Sequence, residues 1–322
     1  MKKPSPLDIF SLLTMCRSLD RISNLPDPIL EFILSLVPLK SAIRTSILSK
    51  RWRNLWKHRL SSTDALDFGE EFASSQSPIE FVTVVGRYLE LYSNQRLGSL
   101  RILFCPFDMF LPNIEKWITL AAMKGVQQLD LDLSQGYRDP RDGEFTDGRK
   151  PFKLPSSLFH CDSLTHLNLS RCEFCTSLDF KRFGSLRMLY LSHVNINDYM
   201  LQSILIDCPI LESLSMRNCR QLHSVDISGE DLRLEKFTMV DCQGVFFLHI
   251  SAPKLQSLHL FGALNFQFRF IDISSLVDAF VSSVGRMACG NYTGLLSALT
   301  HAKILTLCSS TLSVLFYSCS YL

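Results

Sequence analysis

The sequence predicts an α+β repeat protein, in which a small three-helix module is followed by an irregular solenoid. Before residue 60, three short apolar helix patterns are separated by prolines and polar residues. From Leu97 onward, the spacing L-x-x-L-x-L recurs, and its clear copies begin 21 to 25 residues apart, which is the signature of a solenoid. The 322 residues are 47% hydrophobic and 20% charged, which is typical of a globular chain rather than a disordered one.

Composition also indicates the cellular compartment of the protein and the division of its chain into segments. The 11 cysteines are odd in number and mostly inside apolar runs, which favours buried thiols in a protein of the nucleus or cytoplasm. Asp8 interrupts the short apolar run near the N-terminus, and no stretch reaches ~18 apolar residues, so we expect neither a signal peptide nor a membrane partner. The expected segments are an N-terminal extension of unassigned role (1–16), a helical module (17–64), a linker with a connecting helix (65–95) and a repeat domain (96–322).

The first helix of the module should begin at a pair of prolines. Pro26 and Pro28 fit a first helical turn, where a missing N–H costs nothing. An apolar face at four-residue spacing is formed by Ile29, Ile33 and Val37. Because Pro38 disfavours a helical conformation in the residue before it, the helix should end there.

The second and third helices follow directly. The second would carry Ala42, Ile43 and Ile47 on its apolar face. Ser49 can cap the third helix by accepting a hydrogen bond from its first turn. The buried face of that helix would be formed by Trp52, Leu55 and Trp56 at i, i+3 and i+4.

Size and charge indicate that this module has a partner. Three helices in about 35 residues are too small to bury their apolar faces alone. Seven basic residues and no acidic one lie between Lys40 and Arg59. Since cations are unfavourable in the first turn of a helix, we expect Lys50 and Arg51 to face an acidic partner.

A dense set of motifs at fixed spacing runs through the module. They are Asp20-Arg21-Ile22-Ser23, Leu25-Pro26-Asp27, Ile29-Leu30, Ile33-Leu34-Ser35, Pro38, Lys40, Arg44-Thr45-Ser46, Leu48-Ser49-Lys50-Arg51-Trp52-Arg53 and Leu55-Trp56. In these residues the module closely resembles the F-box of plant F-box/leucine-rich-repeat proteins. Leu39 departs from the family, which commonly has a capping Thr there, at a cost of about 1 kcal/mol.

The resemblance implies a partner and a binding surface. F-box modules dock on the Skp adaptor of cullin-based ubiquitin ligases, so the implied partners are a Skp-type adaptor and, through it, a cullin. The positions that match adaptor-facing residues of the family are Leu25, Pro26, Ile29, Leu30 and Ile33.

The repeats predict one short strand each, with alternate residues pointing into a shared core. Clear copies of the pattern begin at Leu164, Leu186, Leu211, Leu234 and Leu255. Weaker copies are Leu100/Leu103/Cys105, Val126/Leu129/Leu131, Leu276/Ala279/Val281 and Ala302/Leu305/Leu307. The irregular spacing resembles the leucine-rich repeats of the same plant family, so the resemblance covers most of the chain.

The segments between the strands are expected to differ. Residues 79–92, 113–123 and 198–206 have helical patterns, whereas the other return segments are too short for more than a turn. Residues 137–150 form a charged insertion that predicts an exposed loop. Cysteines at the ninth repeat position should satisfy backbone groups inside the turn, and they are Cys172, Cys219 and Cys242. Because many relatives continue into a further C-terminal domain, we expect either poor behaviour as an isolated protein or a C-terminally truncated family member.

Target binding would fall to the concave face of the solenoid. The candidate residues point outward from their strands, and they are His166, Asn168, Tyr190, Arg217, Lys236, His259 and Phe261. The set is mixed in charge and contains two aromatic rings, which favours a protein or a small molecule over a polyanion.

Catalytic and metal chemistry have weak support in the sequence. Cys172 and Cys175 have zinc-ligand spacing, with His160, Cys161 and His166 nearby, but a second matched pair is missing. Another weak candidate is a calcium loop at Asp139, Asp142 and Asp147, whose spacing does not fit an EF-hand. There is no glycine-flanked nucleophile turn, so we expect no catalytic residue, no metal and no cofactor.

The implied function is that of a non-catalytic substrate-recognition subunit of an SCF-type (Skp–cullin–F-box) ubiquitin ligase, with an unidentified target. The leading alternative is a DNA-binding or transcription-associated module that uses the basic helices 40–59. However, Trp52 and Trp56 lie at core spacing, so we expect no nucleic acid. A third possibility is a repeat protein whose F-box no longer engages an adaptor.

Overall fold

The computed structural model of the chain describes residues 22, 24–37, 39–52, 54–56, 63–73, 76–104, 108–134, 151–174, 180–229, 231–283, 289–308 and 312. Three predicted features lie outside the described residues. They are the N-terminal extension, the charged insertion that contains the candidate calcium-binding aspartates, and Cys175. The chain divides into two compact units. One comprises Met1–Asp64 with Glu90–Asn94, and the other Ala65–Leu89 with Gln95–Leu322.

The first unit contains the helical module. Its elements are α1 (Asp27–Leu36), α2 (Leu39–Arg44), a 3-10 turn (Thr45–Ile47) and a helical stretch at residues 54–56. The buried core of the module consists of Leu30, Leu34, Ala42, Trp52 and Leu55, and the half-buried side chains packed against it are Leu25, Ile33, Val37 and Trp56. The predicted tryptophan face is therefore confirmed as packing.

The predicted helix boundaries are also confirmed. Pro28 lies in the first turn of α1, and the helix ends at Leu36 because Val37, before Pro38, is extended with ψ 153°. The Trp52 N–H donates to Ser49 Oγ at 3.3 Å, as expected for a cap. One expectation was wrong: Ile47 lies in the 3-10 turn and is 85% exposed, because α2 ends at Arg44 before a further turn can bring Ile47 to the core.

The second unit is built on parallel strands. They are β1 (Ala65–Phe68), β2 (Ser99–Leu103), β3 (Gln128–Asp132), β4 (Phe152–Lys153), β5 (His166–Ser170), β6 (Cys172–Glu173), β7 (Met188–Ser192), β8 (Ser213–Arg217), β9 (Ser224–Ser228), β10 (Lys236–Val240), β11 (Phe247–Ser251), β12 (Ser257–Gly262), β13 (Gln267–Phe270), β14 (Asp278–Ser283) and β15 (Ile304–Leu307). Ten of them form one sheet in the order β1-β2-β3-β5-β7-β8-β10-β12-β14-β15. A single parallel sheet that runs through successive repeats is consistent with a repeat solenoid.

The pattern of leucines explains the core of this sheet. In eight repeats the first position is buried, and it is occupied by Leu97, Val126, Leu164, Leu186, Leu211, Leu234, Leu255 and Leu276. The two inward strand positions are in register from strand to strand; for example, Leu167 pairs with Leu189 and Leu189 with Leu214. These repeats thus bury their apolar residues against the neighbouring repeats. The copy predicted at Ala302/Leu305/Leu307 pairs in register with β14, but Leu305 is 38% exposed.

Two assignments near the start of the sheet were wrong. The copy predicted at Leu100/Leu103/Cys105 is shifted by three residues, because Leu100 pairs with Leu129 and Ile102 with Leu131. The repeat therefore begins at Leu97. In addition, Ala65–Phe68, which the sequence placed in a linker, is β1 and pairs with β2.

The return segments hold more regular structure than the sequence predicted. A three-stranded parallel sheet in the order β13-β11-β9 forms where only turns were expected. Its strands alternate buried side chains such as Val225 and Leu248 with polar ones, so each has an apolar side to pack. Short segments therefore pair as strands once neighbouring repeats align them.

The described residues from 63 onward also contain five α-helices: α3 (Glu70–Ala73), α4 (Pro78–Leu91), α5 (Leu111–Met123), α6 (Asp198–Asp207) and α7 (Cys289–Leu299). The helices predicted at 79–92, 113–123 and 198–206 are confirmed as α4, α5 and α6. Phe81 of α4 stacks on Phe104, with ring centroids 4.6 Å apart, and also contacts Trp117 edge-on. As expected, α4 packs on the start of the repeat domain.

The same turn follows four consecutive strands of the sheet, β5, β7, β8 and β10. Its first residue has a left-handed backbone, with φ of 61° at Arg171, 53° at His193, 50° at Asn218 and 51° at Asp241. The N–H of each donates to a carbonyl at the end of the next strand, at 2.8 to 2.9 Å. The following cysteine donates its thiol to backbone carbonyls, as in the 3.5 Å bond from Cys172 Sγ to Ser170 O. Cys219 and Cys242 do the same, which confirms the predicted role of the three cysteines.

Gly262 is the corresponding residue of the next repeat, and we expect Gly262→Ala to lower the free energy of unfolding by about 1–3 kcal/mol. Its φ is 120°, which side chains rarely adopt, and a Cβ would lie 2.6 Å from Asp241 Oδ1. Urea unfolding would measure the change. Gly229→Ala is the matched control, because the nearest atom to its Cβ is 3.6 Å away. Equal losses in both variants would contradict the argument.

Candidate functional site

The helical module presents a row of large apolar side chains to solvent. Ile29 is 46% exposed, Phe32 64% and Leu36 70%. Because these residues lie at i, i+3 and i+7, they share one side of α1, which we call the apolar α1 face. The core residues Leu30 and Leu34 lie on a different side of the same helix. The helix is therefore apolar on two sides, only one of which its own module covers.

The predicted adaptor-facing residues are divided between these two sides. Pro26 and Ile29 are exposed, whereas Leu25 and Ile33 are half-buried and pack against the core. Leu30 is 0% exposed, so its side chain offers no surface to a partner and supports the fold.

Phe32 and Leu36 were missed as candidates, although their helical spacing from Ile29 is readable in the sequence. The three-residue apolar run Phe32-Ile33-Leu34 obscured it, since this one run contains an exposed, a half-buried and a buried side chain.

In the basic segment between Lys40 and Arg59, one of the two residues predicted to face a partner is bound within the module instead. Arg51 was predicted to face an acidic partner, but it lies against the start of α1. Its Nε donates to Asp27 Oδ1 at 2.7 Å, and its Nη2 donates to the Leu25 carbonyl at 2.5 Å. The positive charge at this position is therefore matched within the module. Lys50 and Arg44 are exposed.

The ten-stranded sheet has one side covered by its core and one side open, which we call the solvent face. All seven predicted target-binding residues lie on this face, at alternating strand positions. His166, Asn168, Tyr190, His259 and Phe261 are half-buried. Arg217 and Lys236 are exposed. The alternation of a strand is sufficient to place them there.

A groove of about 470 Å³ lies on the solvent face over the first six strands of the sheet, β1 to β8. It brings together His166, Asn168 and Tyr190 from the predicted set. The other four predicted residues do not line this groove. Met188, 44% exposed beside them, gives the groove an apolar side.

Charged residues line the other end of the groove. Arg101 lies between two carboxylates, with its Nε 3.2 Å from Asp130 Oδ2 and its Nη1 3.8 Å from Asp67 Oδ2. Burial raises the pKa of Asp130; Arg101 opposes this effect, and the carboxylates of Asp132 and Asp67 add to it. The groove therefore combines a charged end with an apolar, aromatic end.

Sequence reasoning missed Asp67, Arg101 and Asp130. Asp67 is on β1, which was assigned to a linker, and Arg101 is on the strand whose repeat was placed three residues too late. The signal that could have found Arg101 is the spacing Leu97/Leu100/Ile102, which matches the repeat with isoleucine in the last position.

A serine, a histidine and an aspartate meet on the solvent face of β12 and β14. His259 Nε2 is 2.8 Å from Asp278 Oδ2 and 3.3 Å from Ser257 Oγ. A catalytic triad needs the carboxylate on one ring nitrogen and the hydroxyl on the other. Because both partners of His259 reach the same nitrogen, this arrangement cannot transfer a proton from serine to the ring while aspartate orients it.

Metal and thiol chemistry have little support in the part of the chain that the structure describes. No group of three or more potential ligands (His, Cys, Asp or Glu) is placed there to hold a metal ion. Burial raises the pKa of the Cys172 thiol far above its ordinary value, and it raises that of Cys208 to about 12. These thiols stay protonated at neutral pH, so they are poor nucleophiles and poor metal ligands. None of the described helices is both long and apolar enough to span a bilayer.

Comparison with known families agrees with the two-unit division. Residues 22–61 match the F-box domain, and residues 95–315 match the family described as "At1g61320/AtMIF1, LRR domain". The second match covers more than half of the chain and includes most strands of the ten-stranded sheet.

Relatives in Arabidopsis thaliana carry the same two domains in their names. F-box/LRR-repeat protein 13 is 31% identical over 256 residues, which are 75% of this chain and 51% of the relative. F-box/LRR-repeat protein At3g03360 is 30% identical over 274 residues, covering 81% of this chain and 51% of the relative. F-box/FBD/LRR-repeat protein At1g78750 is 28% identical over 326 residues, covering 93% and 68%. The chain thus spans about half the length of the first two.

Three findings lead to the same assignment. They are the two domain matches, the names of these relatives, and the observed helices with their parallel sheet. The chain belongs to the plant family of F-box/leucine-rich-repeat proteins.

Proposed function

We propose that this protein is the substrate-recognition subunit of an SCF-type ubiquitin ligase. The apolar α1 face, together with Pro26, docks on a Skp-type adaptor, and the adaptor links the chain to a cullin. The solvent face of the ten-stranded sheet binds the target protein. The chain supplies no catalytic group, and its contribution to ubiquitin transfer is to hold the target close to the loaded enzyme.

The exposed apolar α1 face is the observation that carries the proposal. Side chains such as Phe32 and Leu36 cost free energy in water, so a row of them on one helix marks an interaction surface. The row belongs to the region that matches the F-box domain, residues 22–61. F-box/LRR proteins typically act as non-catalytic adaptors, and Skp-type adaptors are the partners that F-box domains bind.

The groove on the solvent face supports the second half of the proposal. Its volume of about 470 Å³ can hold several side chains of a target segment or a small ligand. Tyr190 and Met188 offer apolar contact, whereas Arg101 and Asp130 offer charged hydrogen-bonding groups. This mixture favours a protein segment over a uniformly charged polymer. The place of action would be the nucleus or the cytoplasm.

The test is direct binding of the 322-residue chain to a purified plant Skp adaptor, measured by calorimetry at salt concentrations from about 50 to 200 mM. We expect binding that weakens only modestly with salt, because an apolar interface has few charges to screen. In parallel, the chain is titrated against a DNA duplex.

The outcomes separate the candidate functions. If folded protein fails to bind the adaptor but binds DNA with an affinity that falls by orders of magnitude over this salt range, the DNA-binding alternative replaces the proposal. If folded protein binds neither, the F-box does not engage an adaptor.

A further inference from the structure

The backbone carbonyl of Leu25 lies just before α1, since Pro26 is the N-cap residue of the helix. Residue 28 is Pro28, which has no N–H to donate to this carbonyl. The N–H of Ile29 donates to the Pro26 carbonyl at 3.0 Å. Neither residue of the first turn therefore donates to the Leu25 carbonyl.

Arg51 supplies a donor to this carbonyl from the other end of the module. Its Nη2 donates to the Leu25 carbonyl at 2.5 Å, across 26 residues of sequence. The same guanidinium bonds the Asp27 carboxylate through Nε at 2.7 Å and lies 2.5 Å from it through Nη2. A planar guanidinium can bond two acceptors at once in fixed directions, which a lysine ammonium does less well. Arg51 thus holds both residues that flank Pro26.

Backbone hydrogen bonds also hold the Leu25–Asp27 segment. The Leu25 N–H donates to the Ile22 carbonyl at 3.1 Å, and the Pro26 carbonyl accepts from Ile29 and Leu30. The side chain of Leu25 packs on the core of the module. Pro26, in contrast, is exposed and followed one turn later by the exposed Ile29. The segment is therefore hydrogen-bonded at both ends, with the Leu25 side chain turned toward the core and Pro26 and Ile29 exposed to solvent.

We infer that Arg51 is a positioning residue for adaptor binding, which holds the Leu25–Asp27 segment in the conformation that docks. The inference rests on the proposed function, since the Leu25–Asp27 segment belongs to the proposed adaptor-binding surface and Arg51 would fix its conformation. A segment already held in its bound conformation loses less conformational entropy on docking, so its affinity is higher. Arg51 itself contributes through Leu25 and Asp27 rather than by contact with the adaptor.

The test compares Arg51→Ala with Lys50→Ala in the 322-residue chain. Both variants remove one positive charge from adjacent exposed positions, but Arg51 is the residue that bonds Leu25 and Asp27. We expect Arg51→Ala to weaken adaptor binding about tenfold, mainly through faster dissociation, and Lys50→Ala to change it little. Arg51→Lys should recover part of the loss, because one bond can still form. Surface plasmon resonance gives both rates.

A second measurement separates positioning from folding and does not need the adaptor. Amide hydrogen exchange of Leu25 should be faster in Arg51→Ala than in wild type, since its turn with Ile22 is no longer held. Leu55→Ala is a control for lost stability, because it weakens the core of the same module. Its adaptor affinity is measured at a temperature at which circular dichroism shows the variant folded. We expect that affinity to equal the wild-type value.

The inference is overturned if Arg51→Ala and Lys50→Ala weaken binding equally, because loss of charge alone then explains the effect. It is also overturned if Leu25 exchange is unchanged in Arg51→Ala, or if Leu55→Ala loses affinity as much as Arg51→Ala does. Failure of wild type to bind the adaptor would instead reject the proposed function, and the exchange experiment would still show whether Arg51 holds the segment.

Discussion

Replacing Ile29 and Phe32 together by aspartate is expected to abolish adaptor docking while the module stays folded. Both side chains are exposed and neither belongs to the core of the module, so the substitutions remove little packing. In the complex, however, each carboxylate would be buried against an apolar partner surface without a matching cation, which is strongly unfavourable. Together with the loss of two apolar anchors, this should weaken binding by about 100-fold or more. Calorimetry with the purified adaptor measures the affinity, and circular dichroism measures the folding.

The matched control for this variant is Ser41→Asp. Ser41 is exposed on α2. The substitution therefore adds negative charge to the module on a different helix from the apolar α1 face, and we expect less than about tenfold weaker binding. If Ser41→Asp weakens binding as much as the double variant does, repulsion at a distance explains the result and the apolar face is not the docking surface.

Phe237→Ala is expected to lower the free energy of unfolding of the repeat domain by about 3–5 kcal/mol. The side chain is 0% exposed at an inward position of β10. It lies in register with Leu214 on one neighbouring strand and Leu258 on the other, so its loss leaves a cavity shared by three repeats. Because each repeat is stabilised mainly by its neighbours, one defect weakens two interfaces at once. Urea unfolding followed by circular dichroism measures the loss.

Lys236→Ala is the control on the same strand. Lys236 immediately precedes Phe237 and is exposed on the solvent face, so we expect a change within about 0.5 kcal/mol. Phe237→Leu should lie between the two, because leucine refills part of the cavity. A loss below about 1 kcal/mol for Phe237→Ala would mean that the repeats do not share a packed core at this point.

The local rules of the chain determined much of this structure without any tertiary information. Pro38 sets the end of α1, Ser49 caps the third helical stretch, and Trp52 with Leu55 forms its buried face. In the repeats, the spacing of Leu164, Leu167 and Leu169 is enough to define which strand residues point inward, and hence that His166 and Asn168 point outward. These features are local, because proline geometry, side-chain capping and strand alternation act over a few residues.

Other features were decided only when distant segments came together. The strands β1, β9, β11 and β13 lack a clear local signal, because they form by pairing with neighbours that the sequence does not identify. The charged end of the groove depends on that pairing, since Asp67 and Asp130 reach Arg101 only across adjacent strands.

The F-box module shows the same division. Helical spacing identifies the apolar residues of α1, but only packing decides that Leu30 is buried by Trp52 and Leu55 while Phe32 and Leu36 stay in water. Likewise, the sequence predicted that Arg51 faces an acidic partner, whereas in the fold Arg51 bonds Asp27 and the Leu25 carbonyl. The sequence alone determined which side chains are apolar or charged and where α1 and the strands of the clear repeats begin. The tertiary structure decided which other segments pair as strands, which side chains find partners inside the protein and which are left for another molecule.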